Sequence, residues 1–114
     1  MMYVLKTNDG KIVRVNPKTD TCLYSAPTNP PNTGLRYTRG SDLYMHIAQS
    51  KKRYFYILEW SMWQGEEENV YLVSEAEAKN FLIEKAGLSG WAQLSDSEMK
   101  QAEEVFPGIF DETA

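Results

Sequence analysis

The segment Tyr54-Phe55-Tyr56-Ile57-Leu58 is aromatic or aliphatic at odd and even positions alike. Successive side chains of a strand point to opposite faces, so a strand here must be covered on both sides. It is therefore expected to be a central strand, with one layer of chain above it and another below. Tyr54, Tyr56, Leu58, Trp60 and Met62 make one row; Phe55, Ile57, Glu59, Ser61 and Trp63 make the other. One row is expected to pack under helices and the other under the long loop from Ala26 to Gly34.

Short strands lead up to it. Val4-Leu5-Lys6 and Lys11-Ile12-Val13-Arg14-Val15 flank Asn8-Asp9-Gly10, whose Asp-Gly step is a hairpin signal. Asn16-Pro17-Lys18-Thr19-Asp20 reads as a turn, since proline presets its backbone angle and Asn or Asp bonds nearby backbone. Thr21 to Tyr24 is then a third strand. Pro27, Pro30 and Pro31 lack ladder donors and make the stretch to Gly34 a flexible loop. Leu35 to Arg39 reads as a short strand ended by Gly40-Ser41. Leu43–Gln49 and Arg53–Trp60 form a hairpin about Ser50-Lys51-Lys52, and Asn69–Val73 is a further strand.

The period changes at Ser74. Ser74 with Glu77, and Ser95 with Glu98, each have the spacing of a capping box. Ala78, Phe81, Leu82 and Ala86 share one helix face, and Met99, Ala102 and Phe106 share another. Gly87 suits a left-handed helix end, and Pro107-Gly108 stops the second helix. Leu88 and Trp91 are expected to pin the connection between them. Strands followed by helices predict an α+β fold: an antiparallel meander of about six strands, then two C-terminal helices on one face. No internal repeat or linker divides residues 1–114, so a single domain is expected.

The stretch from Tyr54 through Trp60-Ser61-Met62-Trp63-Gln64-Gly65-Glu66 to Leu72-Val73-Ser74-Glu75-Ala76-Glu77-Ala78 resembles small uncharacterised prokaryotic proteins, archaeal ones among them. The resemblance implies no activity and no site residue.

Composition narrows the chemistry. One cysteine, Cys22, and one histidine, His46, exclude a disulfide framework and a Cys/His zinc site within one chain. The amino-terminal residues are too short in apolar length for a signal peptide, and no apolar run is long enough for a membrane helix. A soluble cytoplasmic protein is expected. The net charge is −4. Residues 1–53 hold nine Lys/Arg against three Asp/Glu; residues 54–114 hold three against thirteen. That asymmetry fits either a basic functional face or two halves that complement each other. Glu66-Glu67-Glu68 cannot all turn toward one cation in an extended segment and read as a solvated turn. No phosphate-binding glycine motif is present.

A binding surface is expected from Tyr37, Tyr54, Tyr56, Trp60, Trp63 and Gln64, rimmed by Arg36, Arg39 and Arg53. Aromatic and arginine side chains dominate recognition hot spots. The competing reading makes the tryptophans core. Three functions follow. The first is a non-enzymatic binding or protein–protein interaction module, homo-oligomers included, with no cofactor or metal and no catalytic residue. The second is single-stranded nucleic-acid binding, with bases stacked on the aromatic row. It is disfavoured by the acidic second half, which repels phosphates. The third is a small enzyme using His46 with a carboxylate. A Cys22–His46 dyad lacks the sequence signature of a cysteine hydrolase.

Overall fold

A computed structural model describes residues 2–27, 39–61, 68–88 and 93–113. Six strands and two helices follow the predicted order: β1 (Tyr3–Lys6), β2 (Ile12–Val15), β3 (Thr21–Tyr24), β4 (Arg39–Ile47), β5 (Arg53–Ser61), β6 (Asn69–Val73), α1 (Glu75–Ala86) and α2 (Asp96–Val105). The fold is α+β, with every strand pairing antiparallel. The strands do not form one meander. β1 and β2 make a separate two-stranded sheet, and the other four run in the order β3-β4-β5-β6.

That division explains the doubly apolar β5. Phe55 and Ile57 join Leu23, Tyr24, Leu43 and Met45 in a core closed by Ala78 and Leu82 of α1, Leu94, and Ala102 and Phe106 at α2. On the opposite face Tyr56 is sealed by Val13 and Val15 of β2, with Tyr3, Leu5, Tyr44, Tyr54, Val70 and Leu72 around them. The β1–β2 hairpin thus covers the row assigned above to the long loop. The hydrophobic alternation of Val13 and Val15 gives it an apolar underside to bury, which the proline-rich segment lacks. Residues 28–38 lie outside the described residues, and with them most of the flexible loop expected there and all but Arg39 of the strand expected at Leu35–Arg39; Arg39 begins β4.

Local chemistry sets the joints. Gly10 closes the β1–β2 turn at φ 85°, where a side chain would be strained. Both capping boxes are present: Ser74 and Ser95 accept from the amides of Glu77 and Glu98, whose side chains reach back. A bulge between Cys22 and Tyr24 breaks the alternation of β3, and both Leu23 and Tyr24 enter the helix-side core.

Three expectations are corrected. Gly40 and Ser41 lie within β4 rather than ending a strand, because their backbones pair with Trp60 and Glu59. Gly87 closes α1 at φ −81°, in the right-handed region, its amide reaching the Ile83 and Glu84 carbonyls. Leu88 is exposed, whereas Leu94 of the same connection is buried; Trp91 lies outside the described residues. Among the described residues no helix is long and apolar enough to cross a membrane.

Candidate functional site

The residues expected to form one surface are dispersed. Tyr56 has no exposed area, so no ligand can stack on it, and the aromatic row offers no open platform there. Arg53 lies on the other face of β5. Its guanidinium donates to the Val105 carbonyl at 2.9 Å, meets Glu75 at 3.5 Å, and lies 5.9 and 5.8 Å from the Phe55 and Phe106 rings. It ties both helices to the sheet. Trp60 is half-buried, and its indole nitrogen donates to Asp42 Oδ1 at 3.1 Å. Arg39 pairs through its backbone with Ser61; its side chain, and the whole of Arg36, Tyr37, Trp63 and Gln64, lie outside the described residues. Of the expected set, Tyr54 lines an open surface groove.

His46 is placed by β4, opposite Tyr54 in register. Asp20, from the turn between β2 and β3, accepts three hydrogen bonds. Its Oδ2 takes the Tyr56 hydroxyl at 2.7 Å and the Asn16 amide at 2.8 Å; its Oδ1 meets His46 Nδ1 at 2.8 Å. The turn assignment foresaw the bond to nearby backbone. The bonds to His46 and Tyr56 span 26 and 36 residues, and no local spacing signals them. Burial, and then the Asp20 hydrogen bond and charge, push the Tyr56 phenol up and hold it as a donor. An ionised Asp20 requires the proton on Nδ1, which fixes the imidazole tautomer. His46 retains 21% side-chain exposure against 9% for Asp20, so the ring reaches solvent while its carboxylate partner is covered.

That exposed side opens on a groove of about 680 Å³ between β2 and the β4–β5 turn. Lys11, Ile12 and Arg14 come from the β2 side, His46 and Ile47 from β4, and Tyr54 from β5. Lys52 sits 5.2 Å over the Tyr54 ring. The groove thus combines cations, an imidazole and exposed aliphatic side chains: Ile12 is 62% and Ile47 55% exposed. The basic balance of residues 1–53 hints at this arrangement, but the local pattern around Lys11 and Arg14 signals a strand and not a groove.

Three further polar side chains lie on β3 and β4. Tyr44 stacks on Tyr56, 5.2 Å between centroids, and is hydrogen-bonded to Cys22. Burial, then neighbouring negative charge, raises Tyr44 to about 12 and Cys22 to about 11. Cys22 is therefore a protonated thiol partnered with Tyr44, not a nucleophile beside His46. Asp42 is buried; burial raises its carboxyl above the ordinary range, against the lowering effect of the Ala26 amide and the Trp60 indole. Among the described residues no group of three or more His, Cys, Asp or Glu is placed to hold a metal ion.

Compared with protein-family models, curated proteins and solved structures, the chain matches none.

Proposed function

We propose that this chain is a cytoplasmic, non-enzymatic binding module whose ligand sits in the groove between β2 and the β4–β5 turn. The groove's make-up carries the proposal. Its volume of about 680 Å³ lies within the roughly 300–1,000 Å³ usual for small-molecule sites. Apolar walls from Ile12 and Ile47 supply burial, and Lys11, Arg14 and His46 supply direction. The lone free cysteine suits a reducing compartment. The resemblance of the Tyr54–Ala78 stretch to small prokaryotic proteins is likewise proposed as kinship. Amide chemical shifts recorded while a fragment library is added test the site. Perturbations should converge on Lys11–Arg14, His46–Ser50 and Tyr54. Hits that scatter, or that gather on the helix side, would remove the groove from consideration.

One observation favours a second reading, a small enzyme. The 2.8 Å contact between Asp20 and His46 is the pairing that orients a general base. Among the described residues no serine, threonine or cysteine is hydrogen-bonded to His46, so the base would act on water or on the substrate itself. Turnover of a panel of esters, abolished by His46→Gln and reduced by Asp20→Asn, would establish it; turnover indifferent to His46→Gln would end it.

A further inference from the structure

Both fully charged side chains lining the groove, Lys11 and Arg14, are cations. Lys52 adds a third positive charge over Tyr54. The nearest acid on this rim, Asp9, lies 3.7 Å from Lys11 in an exposed pair, the kind of contact that contributes little in water. Asp20 stands behind His46 and is occupied by it, by Tyr56 and by the Asn16 amide. The groove lining therefore brings cations and aliphatic residues together.

We propose that it binds a small oxyanion carried on an aliphatic body, and that binding draws a proton onto His46. The inference rests on the groove being the ligand site. Its mechanics follow from the tautomer. With Nδ1–H directed at Asp20, a neutral imidazole has only a lone pair at Nε2, which repels an oxyanion. The imidazolium carries N–H at both nitrogens and can donate to the ligand while Asp20 balances its charge from behind. A bound oxyanion beside the ring attracts the imidazolium and so favours its second proton. Tyr56 keeps its own proton and acts through Asp20. The proton comes from solvent and returns to it on release; no covalent bond changes. A planar carboxylate suits a paired contact with Arg14, and a tetrahedral oxyanion suits all three donors, so the two forms are separated by experiment.

Titration calorimetry of the full chain with octanoate, octanesulfonate, octanol and octylammonium tests this, with amide shifts locating each probe. Octanoate and octanesulfonate should perturb Lys11, Arg14 and His46, and octanol should bind at least about tenfold more weakly. Anion affinity should fall as pH rises between about 6 and 8, by up to about tenfold per unit. His46→Gln should lower anion affinity at about pH 6 toward the wild-type value at about pH 8 and so flatten that pH dependence. Arg14→Gln should weaken binding about tenfold and leave the slope. If His46→Gln fails to fold, the dependence of the wild-type binding heat on buffer ionisation enthalpy reads proton uptake directly. Octanol binding as tightly as octanoate would overturn the anion inference and leave the groove; a flat wild-type profile would overturn the proton linkage. No perturbation of the groove by any probe would overturn both the inference and the function on which it rests.

Discussion

Gly40 sits where nothing larger fits. A Cβ there would lie 2.5 Å from Trp60 Cζ2 and 2.7 Å from the Ala26 Cβ. Gly40→Ala should cost about 1–3 kcal/mol through overpacking, read from chemical denaturation; an unchanged midpoint would show that the Trp60 ring can swing aside. Asp42 beside it makes a pH prediction. An acid whose folded pKa is raised binds its proton more tightly when folded, so its contribution is full below the unfolded value and lost as pH rises through the folded one. The Ala26 and Trp60 donors both use Oδ1, and an asparagine carbonyl can accept both. Asp42→Asn should therefore gain on wild type between about pH 4 and 7. Equal differences at the two pH values would mean that burial leaves Asp42 unstrained. Cys22 makes a third case. Held near 11 and hydrogen-bonded to Tyr44, it should alkylate far more slowly than a free thiol at neutral pH; a rate like that of the unfolded chain would contradict its burial. The sequence showed which residue types were present here. It could not show that Trp60 was tied to Asp42, or that Arg53 turned to the helices, because those partners are distant in sequence.

The helices were the most legible elements. Capping boxes and apolar spacing are local, and α1 and α2 begin after the predicted Ser74 and Ser95. Their depth of burial was less legible. Phe81, taken from the sequence as a docking residue beside Leu82, Met99 and Phe106, packs edge-on to Tyr24 at 5.6 Å and is only partly covered, whereas Leu82 is fully buried. Leu82→Ala should cost about 2–5 kcal/mol. Phe81→Ala should cost less, and the reverse order in urea melts would mean that the α1 face is rotated. The β1–β2 hairpin illustrates the opposite limit. Its strands and turn were readable from Asp9-Gly10 and the alternation of β2, but its place was not. Docking depends on Val13, Val15 and the Asp20 bonds to β4 and β5. Asp20→Asn leaves the hairpin strands intact while weakening that attachment. Hydrogen exchange in β1 and β2 should then accelerate relative to β4 and β5. Uniform acceleration across both sheets would show that the hairpin and main sheet open as one unit.

At the scale of the whole molecule, the main sheet is a middle layer, with helices on one face and the two-stranded sheet on the other. The doubly apolar β5 demanded two covering layers, and that much was written in residues 54–58. Which segment supplies the second layer depends on contacts between residues distant in sequence, and the hairpin's buried underside rests chiefly on two valines. The groove was illegible for the same reason: it lies where that hairpin meets the turn between β4 and β5. The three-layer arrangement also bears on how the protein is made. Synthesis delivers the hairpin before its seat, which is built from β4, β5 and β6 and ends at Val73. While the chain is still growing, Val13 and Val15 have no native surface to rest on, and Asp20 waits for a tyrosine 36 residues downstream. The hairpin thus emerges before the surface that holds it.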